Sequence, residues 1–193
     1  GNIIISDFFN ARSFFAYFPT RRAKIVTAIA MFYDLEDPNA FVSDLAGVLA
    51  PNGLAIIQMS YLPLMLRENA FDNICHEHLE YYALGSLEFL LARHSLEVFD
   101  VELNDVNGGS FRAYIRHSGA RAPKTAGGRE RAMALRSEET MLALETPPPY
   151  LAFATRVERI RTELVGFLER EAASGKQIYV YGNSARSYLL AVV

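Results

Sequence analysis

The sequence predicts an α/β fold in which part of a doubly wound domain, ending in an antiparallel strand pair, is followed by the start of a second α/β unit. Three observations carry this expectation. Continuous apolar runs at Ile3-Ile4-Ile5, Lys24 to Ala30 and Leu54 to Met59 suit strands of a parallel sheet covered on both faces. A helical pattern lies between the second and third runs, which makes a strand–helix–strand unit. Two later runs, Leu96 to Leu103 and Ser110 to Arg116, alternate with period two, as half-exposed antiparallel strands do.

In chain order, Ser6-Asp7 closes the first run. Asp37 suits a helix N-cap and Pro38 the first helical position. Phe41, Val42, Leu45, Val48 and Leu49 then recur at helical spacing, and Pro51-Asn52-Gly53 stops the pattern. A short helical connection follows the third strand, and Ser86 to Arg93 reads as a short amphipathic helix. Asn107-Gly108-Gly109 is a turn between the two alternating runs. His117 to Gly128, rich in Gly, Ala and Pro, reads as a linker. Residues 129–145 and 150–173 are helical on either side of Pro147-Pro148-Pro149, and Gly175 caps the second helix. Ile178 to Tyr181 reads as a strand entering a Gly182-Asn183-Ser184-Ala185 loop. The expected division is 1–117, a linker at 118–128, and 129–193.

Composition narrows the function classes. The 193 residues suffice for one domain and part of another. A hydrophobic share of 51% with 21% charged residues supports a buried core rather than disorder. The net charge of −3, from 19 basic and 22 acidic residues, lacks the basic excess of a nucleic-acid binder. The single cysteine, Cys75, excludes an internal disulfide or a Cys-rich zinc site within this chain. Gly1 to Asp7 has no secretion-signal pattern, and no apolar run approaches the roughly 18 residues that span a bilayer. The expectation is a cytoplasmic protein with neither membrane nor nucleic-acid partner, and a chain cut at both ends. The oligomeric state is left open.

Four segments carry candidate chemistry. The densest is Asp72 to Tyr82, where Glu77 stands between His76 and His78 and is followed by Tyr81 and Tyr82. Imidazole takes a proton near neutral pH, and a neighbouring carboxylate can orient it. Consecutive His-Glu-His side chains suit one tetrahedral zinc poorly. The second is Asn104 to Arg112, in which paired glycines allow a close backbone approach and Arg112 suits a phosphate or sugar hydroxyl; an ordinary hairpin loop reads the same way. The third is the glycine loop after Tyr181, whose backbone N–H groups suit an anion. The fourth is Ser6-Asp7-Phe8-Phe9. Beyond a strand's carboxyl end, an acid can accept from an adenine amino group and Phe can stack on the ring; a helix cap with core aromatics is the alternative.

In this order the segments resemble sugar C-methyltransferases dependent on S-adenosylmethionine (SAM), which build branched deoxysugars from nucleotide-linked keto-sugars. Ala28 to Pro38 resembles the segment after the fourth strand of SAM-dependent domains. Ile74-Cys75-His76-Glu77-His78-Leu79-Glu80-Tyr81-Tyr82 is similar to the family signature, and Asn107 to Arg112 and Tyr179 to Gly182 are similar to its later motifs. The resemblance implies the later half of a Rossmann-like SAM domain, then the start of a C-terminal α/β substrate domain. It implies His78 as catalytic base, Glu77 placing the sugar or imidazole, and His76 and Tyr82 hydrogen-bonding the enolate. It implies cofactor contacts at Asp7, Phe8, Ala30 and Met31. It implies nucleotide-sugar contacts at Asn107, Gly109, Ser110, Arg112, Tyr181 and Gly182. The family's N-terminal zinc domain, glycine-rich first loop and ribose-binding acid lie outside this chain, so zinc is expected only there and the chain alone should bind SAM weakly or not at all. Cys75 stands where the family often has tyrosine, and Asn183 to Ser187 departs from its usual loop. The alternatives are a non-catalytic nucleotide-sugar binding module and a sugar O-methyltransferase. An oxidoreductase or epimerase would need a complete GxGxxG after a strand, which the sequence lacks.

Overall fold

The computed structural model describes residues 3–121 and 126–179. Helix α1 (Ala11–Tyr17) precedes strand β1 (Ala23–Ile29). A 3-10 turn (Phe32–Asp34) and α2 (Pro38–Val48) lead to β2 (Leu49–Ser60). Then come α3 (Leu62–Glu68), a 3-10 turn (Phe71–Asn73), α4 (Leu84–Ala92), β3 (Leu96–Asn104), a third 3-10 turn (Val106–Gly108) and β4 (Ser110–His117). Helices α5 (Gly128–Leu142) and α6 (Pro148–Ala173) follow. The strands form one mixed sheet in the order β1-β2-β4-β3.

The pairing follows the patterns in the sequence. β1 and β2 are parallel, with Ile25 to Ile29 opposite Leu54 to Gln58. β4 runs antiparallel to both β2 and β3. The Asp37 carboxylate accepts from the Ala40 N–H at 2.9 Å and caps α2, whose Phe41, Val42, Leu45 and Val48 turn inward. That helix ends at Val48, and β2 already includes Pro51 to Gly53, so the chain passes from helix to strand earlier than those turn residues suggest. In the main core cluster Phe32, Leu45, Ile57, Met59, Tyr61, Leu84, Leu87, Leu91, Phe111 and Ile115 pack together, and a smaller one joins Met65, Leu66 and Ala70 to Phe153 of α6.

Three strand expectations fail. Ile3 to Ile5 forms no strand, and Ile3 and Ile4 are exposed, because no described strand offers them a ladder. β1 is not covered on both faces either. It lies at the edge of the sheet formed by the described residues, with Ile25 64% exposed. Ile178 and Tyr179 are not in a strand, and the loop beyond them, including Tyr181 and Gly182, lies outside the described residues.

Polar contacts join the later helices to the sheet. Buried Glu139 of α5 accepts from the Tyr61 hydroxyl at 2.6 Å and from the Leu84 and Gly85 N–H groups at 2.6 and 2.9 Å. A carboxylate at the N-terminus of α4 faces unpaired N–H donors and the positive end of the helix dipole. Arg131 forms a two-toothed pair with buried Asp100, which lies beside a register shift in β3. Arg156 of α6 donates to the Asn69 side chain and the Leu66 carbonyl at the end of α3.

Candidate functional site

The topology gathers three candidate segments at one edge of the sheet. β1 and β2 both end there, at Ile29 and Ser60, and β4 begins there, with Ser110 opposite both Ser60 and Asn104. The Ala30 to Asp34 segment, residues 61–82 and the Asn104 to Ser110 turn therefore share that edge, where ligands meet open α/β sheets.

His78 is half-buried. Its ring packs on Tyr33, with centroids 4.3 Å apart, and its Nδ1 lies 2.8 Å from the Asn73 carbonyl oxygen. A carbonyl only accepts, so Nδ1 carries the hydrogen and neutral His78 keeps its free lone pair on Nε2. The loop is fixed on both sides. The Leu79 and Glu80 N–H groups donate to the Tyr33 carbonyl, and Tyr81 donates its hydroxyl to the same Asn73 oxygen at 3.3 Å.

The neighbours of His78 differ from it. His76 is exposed and lies 3.4 Å from the Glu77 carboxylate. Glu77 also accepts from the Cys75 thiol, which is the largest influence holding its pKa below the usual range. Burial first, then that contact, pushes the Cys75 thiol up. Tyr82 is buried against Phe32, and its hydroxyl donates to Glu80; burial first and this carboxylate second raise its pKa well above the ordinary phenol value. Asp34, which the sequence reading did not single out, has its carboxyl raised by burial, while His78 pulls it back down and Glu77 raises it further. A cleft of about 560 Å³ opens beside the loop, lined by Leu62, Met65, Leu79, Tyr81, Tyr82 and Phe153 of α6.

The glycine turn serves packing. Gly109 has φ +114°, and an added Cβ would sit 2.6 Å from the Leu64 Cβ. The close approach allowed there is to the chain's own α3. Ser110 donates its hydroxyl to the Val106 carbonyl at 2.7 Å. Arg112 gives two hydrogen bonds to Gln58, at 2.9 and 2.7 Å, and a longer contact to Glu102. At the end of β2 the Ser60 hydroxyl is buried with no hydrogen-bond partner among the described residues.

The Asp7 carboxylate accepts from the Ser13 hydroxyl, the Asn10 amide and the Phe8 N–H. These three contacts, in that order, lower its pKa. Phe8 is 91% exposed. Together with Ile5, Phe9 and Phe14 the segment encloses about 220 Å³, a space of aromatic walls with a carboxylate on its rim, suited to a planar ring bearing amino groups. Phe9 packs on Phe41, which meets Phe32 edge-on. Both candidate cofactor segments therefore border one aromatic group, since Ala30 and Met31 immediately precede Phe32. Ala30 is left-handed at φ 54°, and its N–H donates to the Gln58 carbonyl.

The sequence reading missed Asn73 as a site residue. It is 1% exposed, and its side-chain amide donates to the Ala70 and Asn107 carbonyls. Its one sequence signal is an asparagine inside an otherwise chemical motif, which does not separate it from a turn former.

Comparison with known proteins gives the family. Residues 2–101 match a family described as methyltransferase domain, and residues 105–192 match one described as C-methyltransferase C-terminal domain. The C-methyltransferase NovU of Streptomyces niveus is 33% identical over 162 residues, 83% of this chain. The chain belongs to the C-methyltransferase family. It spans 37% of the length of that relative. Among solved structures, a pericyclic reaction enzyme aligns over 52% of this chain and 28% of its own, at 13% identity and TM-score 0.44. The N-methyltransferase NodS of Bradyrhizobium japonicum aligns over 51% and 53%, at 14% identity and TM-score 0.38. Family membership rests on the sequence matches, not on these structural likenesses. No helix among the described residues is long and apolar enough to cross a membrane.

Proposed function

We propose that the protein of which this chain is part transfers a methyl group from SAM to a carbon beside the ketone of a nucleotide-linked deoxysugar. The observation that carries the reading is the imidazole of His78. Its Nδ1–H is fixed on the Asn73 carbonyl, and its Nε2 is left as a base at the ligand-bearing edge of the sheet.

Asp7 and Phe8, with Ala30 and Met31, would hold the cofactor. When bound, it supplies a methyl group on a sulfonium, which the enolate carbon takes while the sulfonium becomes a neutral thioether. His78 Nε2 removes the carbon-bound proton, and the electron pair of that C–H bond moves into the enolate. The resulting imidazolium keeps its Nδ1–H on the Asn73 oxygen, so the charge forms without a change of partner. Tyr82 already donates to Glu80, which favours His76 for hydrogen-bonding the enolate oxygen. Glu77, beside His76, orients it or the sugar. The family resemblance assigns Arg112, with Asn107, Gly109 and Ser110, to the substrate, and with them Tyr181 and Gly182, which lie outside the described residues. In this reading residues 1–117 carry the cofactor and the base, 118–128 connect, and 129–193 begin the substrate-binding part. The family matches divide between residues 101 and 105, earlier in the chain than this division. The enzyme works in the cytoplasm.

The test is His78→Asn in the full-length protein. Turnover falls by roughly 100- to 10,000-fold, the usual share of a general base, and SAM affinity stays intact. Solvent deuterium exchange at the sugar carbon falls in parallel. Near-normal turnover and exchange would remove His78 as the base. Normal methylation with no carbon exchange would identify oxygen as the acceptor.

A further inference from the structure

We infer that Asn73 is the positioning residue of this site, fixing the tautomer of His78 and tying it to the turn that follows β3. The inference rests on His78 as the base and deepens that reading.

Asn73 works with both of its ends. Its backbone carbonyl accepts from His78 Nδ1 at 2.8 Å and from the Tyr81 hydroxyl at 3.3 Å, which fills both lone pairs. That carbonyl stays aimed only if the residue cannot rotate. Its N–H donates to the Ala70 carbonyl at 3.1 Å, and its side-chain amide donates to the same carbonyl at 3.3 Å and to the Asn107 carbonyl at 3.1 Å. Asn107 is left-handed at φ 55°, which turns its carbonyl away from the usual strand direction. Gly108 beside it lacks a Cβ that would lie 2.9 Å from the Ala70 Cβ and 3.5 Å from the Asn73 amide nitrogen. The turn is therefore shaped to receive Asn73, and the two motifs at this edge form one hydrogen-bonded unit.

A side chain that acts through a base changes turnover, not cofactor affinity. Asn73→Ala in the full-length protein should lower turnover by roughly 10- to 100-fold, the scale of a catalytic group misplaced by about 1 Å, with SAM affinity unchanged. The acid limb of kcat/KM should move to lower pH, because the carbonyl no longer accepts from the imidazolium. A purely structural role would lower the folded fraction and leave that limb in place. Asn73→Asp keeps the shape but sets a carboxylate against two carbonyls; turnover should fall as in the Ala variant, while the added negative charge moves the acid limb to higher pH, so this variant serves for the turnover and double-variant comparisons if the Ala variant does not fold.

The decisive comparison is the double variant with His78→Asn. If Asn73 acts through His78, the double variant is no slower than His78→Asn alone. If the losses multiply, the inference is overturned and His78 remains the base. If His78→Asn alone leaves turnover normal, the base reading itself fails. Nitrogen-15 NMR of the wild-type protein adds a measurement that needs no variant. Neutral His78 should carry its hydrogen on Nδ1, and an Nε2–H tautomer would overturn the inference.

Discussion

Asn73 and Glu139 are two of the buried polar junctions among the described residues, and they do opposite kinds of work. Each joins segments far apart in sequence: Asn73 reaches Asn107, 34 residues on, and Glu139 reaches back 55 residues to Leu84 and 78 to Tyr61. Asn73 is neutral, and the groups it holds include the His78 imidazole, the proposed base. Glu139 is a carboxylate, and its partners are a helix terminus and a core phenol. A neutral amide can aim a group without adding charge beside it. A buried carboxylate is costly to desolvate and remains only when several donors face it. Asn73 therefore bears on geometry, and Glu139 on stability.

The comparison is broken most directly at Glu139. Glu139→Ala leaves the Tyr61 hydroxyl and two α4 N–H groups without their acceptor, and should cost about 2–4 kcal/mol of stability by urea unfolding. Turnover per folded molecule should change little. A loss below about 0.5 kcal/mol would erase the distinction between the junctions. Gly109→Ala comes next. Its φ of +114° and the overlap with Leu64 should cost about 2 kcal/mol, measured by thermal melting; an unchanged melting temperature would mean that the turn relaxes away from α3.

Tyr61→Phe should cost about 1 kcal/mol, since Glu139 keeps its two backbone donors. Its pH dependence sharpens the point. Burial first, then Glu139, holds the Tyr61 hydroxyl protonated far above its ordinary value of 10.0. The folded state thus binds this proton more tightly than the unfolded chain. The resulting stability is fully present below about pH 10 and declines as pH rises further. Wild-type stability should fall more steeply than that of Tyr61→Phe above pH 10, and parallel curves would contradict the assignment. The smallest effect is peripheral. Ser13→Ala removes the largest influence lowering Asp7, so its carboxyl should titrate closer to the ordinary value by NMR, with the core unaffected.

The parts of the fold with local causes were legible in the sequence. Asp37-Pro38 placed the start of α2, and period-two alternation placed β3 and β4 as an antiparallel pair. Ile3-Ile4-Ile5 misled because an apolar triplet becomes a strand only beside a partner. The His76-Glu77-His78 run stood out in the sequence as a polar cluster, but the different exposures of its three residues did not. The Asn107-Gly108-Gly109 turn was legible as unusual backbone. Its cause, contact with Leu64 and Ala70, lies about 40 residues away in the chain. Asn73 was illegible for the same reason, because its role is defined by carbonyls that only the tertiary fold brings to it.

The span between Glu139 and Tyr61 also has a kinetic meaning. Closing a loop of 78 residues costs chain entropy before any contact repays it, so this junction is expected to form after the β1-β2 and β3-β4 pairings. An interaction absent from the folding transition state changes the rate of leaving the native state more than the rate of reaching it. Glu139 is thus a latch on the exit side of the barrier: its removal speeds unfolding in stopped-flow denaturation and leaves refolding near the wild-type rate.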